Sequence, residues 1–325
     1  MNEALQGKLG FGTAPLGNMY RDVPEEEAKA TIETAWDHGI RYFDTAPFYG
    51  AGLAEMRLGE VLSQHNRDDY LLSTKVGRVI SDELEEKNGL FEHGRQNKVI
   101  TDYSEDATLR SIEQSLERLK TDRLDFVYVH DISPDFHGDV WITKFDTARK
   151  GAFRALTRLR EEGVIKSWGA GVNRTEPIEM ALELEEANPD LSLLATRYTL
   201  LNHEHALQRL MPAAQDKGTG IVVGGPYSSG ILVGGSHYDY GEATSEITSK
   251  IERLKKVAQN HQVSLKAAAL QFSAAHPAVF AVIPGTTRSE GVKEDITAMK
   301  AEIPSAFWKE LRDQELVSPK APLPI

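Results

Sequence analysis

Asp44, Tyr49, Lys75 and His130 are the residues whose types and placement could do chemistry together. The first two lie in YFDTAPFYG (42–50), the third in LSTKVG (72–77) and the last in LDFVYVHD (124–131). A phenol has an ordinary pKa of about 10, too high for efficient proton exchange near neutral pH. A lysine cation ~4 Å away, at an effective dielectric near ~20, favours the phenolate by about 4 kcal/mol. A carboxylate can pair with that lysine, and a histidine can hydrogen-bond the reacting oxygen. Such a set exchanges a proton with an alcohol or a carbonyl. It also needs a hydride partner that no side chain supplies, so a nicotinamide cofactor is implied. Taken singly, each residue has a structural explanation: Asp44 as a turn former, Tyr49 as a loop cap, Lys75 as a snorkelling edge lysine, His130 as a satisfied core histidine. The four fall in order at consecutive strand ends, which those separate explanations leave unaccounted for.

For these residues to converge, the ends of separate strands must meet at one rim. Eight short apolar runs read as strands: LGFGTA (9–14), RYFDTA (41–46), YLLSTKVG (70–77), LDFVYVHD (124–131), SWGAGV (167–172), SLLATRY (192–198), GIVVGG (220–225) and FAVIPG (280–285). Helical segments separate them, at 24–38, 55–64, 104–119, 151–162, 176–187, 207–217, 248–260, 265–275 and 304–316. The segment at 104–119 places Ile112, Leu116 and Leu119 on one face, with Asp102 and Glu105 as its expected capping pair. Alternation of strands and helices implies parallel strands, and eight is the number that closes a (β/α)8 TIM barrel. The rival is a doubly wound sheet with a G-x-G-x-x-G fingerprint. Gly10, Gly12 and Gly17 have the wrong spacing for it. The expected architecture is one barrel domain over 1–325, with extra C-terminal helices and extended loops at 78–103, 132–147 and 226–243 on its C-terminal face. The Pro-rich end SPKAPLPI reads as extended.

Composition narrows the function. The net charge of −12 argues against a broad nucleic-acid footprint. The absence of Cys excludes disulfides, thiolate zinc sites and Cys nucleophiles. HEH at 203–205 reads as a solvated loop, and no metal site is expected. The opening MNEALQGKLG lacks the pattern of a signal peptide, and no apolar run is long enough to span a membrane. The expectation is a cytoplasmic enzyme with a small-molecule substrate, its oligomeric state left open.

The motifs LGFGTAPLG, GIRYFDTAPFYG, LSTKVG, LDFVYVHD, LREEGVIKSWGAGVN and VIPGTT make nearly the whole chain resemble an aldo-keto reductase. The resemblance implies a metal-free barrel, NAD(P)-dependent oxidoreduction, and catalytic places for Asp44, Tyr49, Lys75 and His130, with Tyr49 exchanging the proton. It implies a cofactor set of Gly12, Thr13, Asp44, Asn173, Gly224, Gly225, Tyr227, Gly285, Thr286, Thr287, Arg288 and Asp295, with Asn173 at the nicotinamide carboxamide. Substrate contacts fall on Tyr20, Phe48 and Asp131. Departures are informative. Ala195 stands where the family usually has Gln, Gly224 where many members stack a Tyr on the nicotinamide, and Asp131 where many have Trp. Asp131 is a turn cap or, facing the pocket, a partner for a hydroxyl-rich substrate. Gly285 and Gly291 occupy the places of the cations that clamp the 2′-phosphate of NADP, so NAD is the favoured cofactor, with Arg288 able to retain some NADP binding. Together with GNMYRDV and HDISPDFHGD, these features resemble the branch holding D-threo-aldose (L-fucose) 1-dehydrogenases, L-galactose dehydrogenases and pyridoxal 4-dehydrogenase, which oxidise cyclic hemiacetals to lactones. The alternatives are an NADPH-dependent reductase of aldehydes or ketones, and a cytosolic potassium-channel subunit.

Overall fold

The computed structural model describes residues 7–324. The first six residues of the N-terminal stretch and Ile325 of the Pro-rich end lie outside them. Eight parallel strands form one sheet in chain order: β1 (Phe11–Gly12), β2 (Tyr42–Asp44), β3 (Leu71–Val76), β4 (Phe126–His130), β5 (Ser167–Val172), β6 (Leu191–Ala195), β7 (Gly220–Gly224) and β8 (Val279–Ile283). A bridge between Leu9 and Val282 brings the edges together, giving a nearly closed barrel ringed by helices.

Strand periodicity decides what faces where, because alternate side chains point to opposite faces. One set, Tyr42, Leu71, Phe126, Tyr128, Leu191, Leu193, Val222, Ala281 and Ile283, packs as a cluster inside the barrel. The alternate set, including Phe43, Leu72, Val127, Val129, Trp168, Ile221 and Val223, joins the larger core beneath the helices. Asp44 follows Tyr42 by two, Lys75 follows Leu71 by four and His130 follows Tyr128 by two, so all three belong to the inward series as its uppermost members. The register holds them level: Gly12 pairs with Asp44, Asp44 with Ser73, Lys75 with Tyr128, and His130 with Gly171.

Several expectations change. β1 is only two residues long. The segment after β3 is an antiparallel hairpin, Arg78–Leu84 with Asn97–Thr101, rather than an open loop. The segment after β4 folds into short helical turns and a helix at Trp141–Lys150. The helix expected at 207–217 is two, Glu204–Gln208 and Leu210–Lys217. The helix Glu105–Leu119 is capped by Ser104, whose hydroxyl accepts the Ala107 N–H, while Asp102 instead accepts the Ser104 N–H at 2.8 Å. His203 is not solvated. It is fully buried, its Nδ1 against Thr199 O at 2.9 Å and its Nε2 accepting the Ser318 N–H at 3.0 Å. That bond and a turn from Ser318 to Ala321 fold the expected extended end back onto the barrel.

Candidate active site

Tyr49 hangs from a turn that begins where β2 ends. Gly50 sits at φ 65°, and a Cβ there would lie 2.3 Å from Gly17 O; a Cβ on Gly17 would lie 2.6 Å from the Tyr49 carbonyl carbon. Two glycines therefore let the first loop clasp the turn that carries Tyr49. The Lys75 ammonium lies 4.8 Å from the Tyr49 ring centroid, and the His130 and Tyr49 rings are edge-to-face at 6.0 Å. Lys75 donates to Asp44 Oδ2 at 2.7 Å and Thr45 O at 2.8 Å, with both side chains almost wholly buried. A Cβ on Gly171 would crowd the Tyr128 Cβ at 3.0 Å and lie in ordinary contact, 3.6 Å, with Cδ and Cε of Lys75. The structure brings the four expected residues to one place. Among the described residues, none hydrogen-bonds the Tyr49 hydroxyl.

The electrostatics differ from the sequence expectation. Burial pushes the Tyr49 phenol well above its ordinary pKa, with Asp44 and Asp131 adding to the rise. Burial is the larger cause, and the Asp44 carboxylate that pairs with Lys75 adds a charge that opposes the phenolate. Burial, seconded by Lys75 and Arg78, holds His130 well below the usual imidazole range, so it is a neutral hydrogen-bonding group. Its buried Nδ1 has no partner.

Two cavities meet at Tyr49. The outer, of about 430 Å³, is lined by Phe48, Tyr49, Lys75, His130, Asp131, Phe136, Asn173, Arg174, Arg197, Asp239 and Tyr240 among others. The inner, of about 230 Å³, is lined by Gly12, Tyr20, Asp44, Tyr49, Gly224, Gly225, Tyr227, Tyr240 and Gly285 among others. Phe48 and Asp131 thus sit in the outer cavity as expected substrate contacts would. Tyr20 lies in the inner one, stacked on His237 at 4.7 Å. Asp131, placed at φ 53°, lines the cavity and also pairs with Arg78 at 3.1 Å. Burial raises its carboxyl to about 6 against the pull of Arg78.

The expected cofactor residues divide. Gly12, Asp44, Gly224, Gly225, Tyr227 and Gly285 line the inner cavity and Asn173 the outer. Thr13, Thr286, Thr287, Arg288 and Asp295 line neither. Asp295 is occupied, accepting from the Tyr227 hydroxyl at 2.6 Å and pairing with Lys266 at 2.8 Å. Thr286 and Thr287 precede the helix Ser289–Lys300, whose N-cap Arg288 makes no side-chain cap bond. The uncapped helix start would offer backbone N–H groups to the phosphates of a dinucleotide, and the glycine-lined cavity beside the Tyr49 hydroxyl would take its nicotinamide.

Sequence reasoning missed Arg78, Arg174, Arg197, Asp239 and Tyr240. Arg78 and Arg197 are buried charges just beyond the C-terminal ends of β3 and β6, and that position was the available signal. Arg197 holds Asp239 through two bonds of 2.9 Å.

The Aldo/keto reductase family model matches residues 8–315. The chain is 39% identical to a pyridoxal 4-dehydrogenase from Microbacterium luteolum, covering 95% of this chain and 94% of the relative. It is 37% identical to a D-threo-aldose 1-dehydrogenase from Pseudomonas sp, again over 95% and 94%. Among solved structures, it resembles the holo form of an aldo-keto reductase from Bacillus halodurans, with a TM-score of 0.73, 25% identity, and coverage of 96% of this chain and 92% of that one. The chain belongs to the aldo/keto reductase family and is an oxidoreductase of that family.

Proposed function

We propose that the protein oxidises the anomeric carbon of a sugar, or of another cyclic hemiacetal such as pyridoxal, to a lactone. The observation that carries this reading is the unpartnered Tyr49 hydroxyl at the junction of two cavities, next to a buried Lys75–Asp44 pair and a neutral His130. Tyr49 takes the proton of the anomeric hydroxyl while His130 hydrogen-bonds the same oxygen and orients it. A nicotinamide dinucleotide held by Gly12, Gly224, Gly225, Gly285 and Asn173 would supply the hydride acceptor and, oxidised, a positive charge that would favour the phenolate. Polar groups around the outer cavity, Asp131, Asn173, Arg174 and Arg197, suit a substrate rich in hydroxyls. Relatives named as pyridoxal and aldose dehydrogenases support the same class.

A second reading is reduction of an aldehyde or ketone by NADPH. The raised Tyr49 pKa favours it, because a phenol held protonated is a proton donor. The test is a panel of aldoses, pyridoxal and simple aldehydes, each assayed in both directions with NAD and with NADP. The oxidative reading expects an aldose or pyridoxal to give the highest kcat/KM, and with NAD. A clear preference for aldehyde reduction with NADPH would replace it.

A further inference from the structure

Below the Asp44–Lys75 pair, the barrel interior holds a chain of hydroxyls. Ser73 Oγ lies 2.7 Å from Asp44 Oδ1, Tyr42 OH 3.0 Å from Ser73 Oγ, and Tyr128 OH 3.0 Å from Tyr42 OH. Tyr42, Ser73 and Tyr128 are all fully buried. Their strand positions explain the meeting: Asp44 pairs with Ser73 across β2 and β3, and Lys75 with Tyr128 across β3 and β4. An interior layer that elsewhere is filled by Leu, Phe and Val is here polar.

The direction of the chain is forced. An ionised carboxylate only accepts, so Ser73 donates to Asp44 Oδ1. Ser73 has one proton, so it must accept from Tyr42, and Tyr42 in turn from Tyr128. Every hydroxyl dipole then points at Asp44. Hydrogen bonds aligned in series in a low-dielectric interior polarise one another. Asp44 is thereby held from two sides, by Lys75 on Oδ2 and by Ser73 on Oδ1.

We propose that Ser73, backed by Tyr42 and Tyr128, is a positioning residue that fixes the Asp44 carboxylate and through it the Lys75 ammonium beside Tyr49. This rests on the reading of Asp44, Lys75 and Tyr49 as the working groups. Burial raises the Asp44 carboxyl, while Lys75 and then the Ser73 hydroxyl counter it. The groups facing Asp44 are Tyr42 on its own strand, Ser73 and Lys75 on β3, Tyr128 on β4 and Tyr49 on the following loop; β1 offers only the backbone of Gly12. Asp125 reaches the relay more weakly, through Tyr42. Removing the Ser73 hydroxyl therefore leaves Lys75 as the main group keeping Asp44 ionised.

The test compares Ser73→Ala, Tyr42→Phe and Tyr128→Phe with the native enzyme in pH–rate profiles, melting temperature and cofactor affinity by fluorescence quenching. Ser73→Ala should lower kcat roughly tenfold, the loss of one hydrogen bond to a charged acceptor. It should move the acid limb of the profile to higher pH, with KM and cofactor affinity within about twofold of native. Tyr42→Phe should do the same by about two- to threefold, and Tyr128→Phe less, as polarisation fades along the chain. If Ser73→Ala folds poorly, Tyr42→Phe, which removes only an oxygen, carries the test alone through the same shift. A profile unmoved in both variants, even with a lower melting temperature, overturns the proposal and makes the chain mere packing. Tyr49→Phe run in parallel separates the two ideas: near-native kcat there defeats the functional reading itself, whereas an inactive Tyr49→Phe beside an unaltered Ser73→Ala defeats the relay alone.

Discussion

The Tyr49 hydroxyl lies where the two cavities meet, beside Lys75 and His130, and has no hydrogen-bond partner among the described residues, so replacing it isolates proton transfer. Tyr49→Phe should keep the fold and cofactor quenching while kcat falls about 10²–10⁴-fold; a near-native kcat in a folded variant would remove Tyr49 from its proposed role. Lys75 is bound up with stability as well. With Lys75 at 1% and Asp44 at 3% side-chain exposure, Lys75→Met strands a buried carboxylate. Breaking such a pair typically costs about 3–5 kcal/mol, and Lys75→Met with Asp44→Asn should recover part of it. Urea melts of the single and double variants measure this, and an unchanged single variant contradicts it. Asp131 titrates where an assay can see it. Its carboxyl, ordinarily at 3.8, is raised to about 6. As pH falls through about 6, Asp131 becomes neutral and its pair with Arg78 is lost, so KM for a hydroxylated substrate should rise. Stability runs the opposite way: a raised acid binds its proton more readily folded than unfolded, so this contribution is full below about 4 and gone above about 6. Asp131→Asn should flatten the KM profile in that window, and a native profile with no inflection there would assign Asp131 a purely structural part.

At the level of elements, the segment between β7 and β8 closes over both cavities. Asp239 and Tyr240 sit at φ 50° and 65°, conformations that non-glycine residues hold only when the surroundings require it. The two-bonded pair with Arg197 and the ring stack of Tyr20 on His237 supply that requirement. Asp239 is 38% exposed on its side chain, so the pair is worth up to about 1 kcal/mol. Asp239→Ala should thus raise KM by no more than about fivefold with kcat nearly kept; a larger fall in kcat than rise in KM would show that the segment shapes the reacting centre itself. The barrel strands were legible in the sequence because period-two patterning and turn residues bound them, and the level placement of Asp44, Lys75 and His130 followed from that. The hairpin after β3 was not. Its outer half carries exposed Asp82, Glu83 and Leu84, and its partner strand lies beyond a long polar connection, so no alternation marks it. Arg78 was missed for a related reason: its partner Asp131 is 53 positions away, and only the closed barrel puts them together.

Taken as a whole, the molecule offers little to a 2′-phosphate. Its net charge of −12 works against the more anionic dinucleotide. The two glycines after β8 are there for packing. A Cβ at Gly285 would lie 2.6 Å from Gly12 O and 2.9 Å from Pro15 Cδ, and one at Gly291 would lie 2.4 Å from Thr286 Oγ1. A lysine or arginine cannot enter either place without moving backbone of the first loop or the hydroxyl that accepts the Arg288 N–H at 3.2 Å. The cations left nearby include Arg288, exposed, Lys293, exposed and paired with Glu290 at 3.7 Å, and Arg21, which already pairs with Glu27 and donates to Thr287 Oγ1 at 2.7 Å. Phosphate recognition calls for charge-assisted bonds from free guanidinium or ammonium groups. The proposed preference is therefore NAD over NADP, or at most parity. Measurement of kcat/KM with each cofactor at one substrate concentration, for the native enzyme, Arg288→Ala and Arg21→Ala, tests it. Loss of NADP use in Arg288→Ala alone would identify that residue as the weak phosphate contact, and the same loss in Arg21→Ala would mean that Glu27 releases its partner when the phosphate arrives. A native preference for NADP of roughly a hundredfold, about 2.7 kcal/mol, overturns the argument from the glycines.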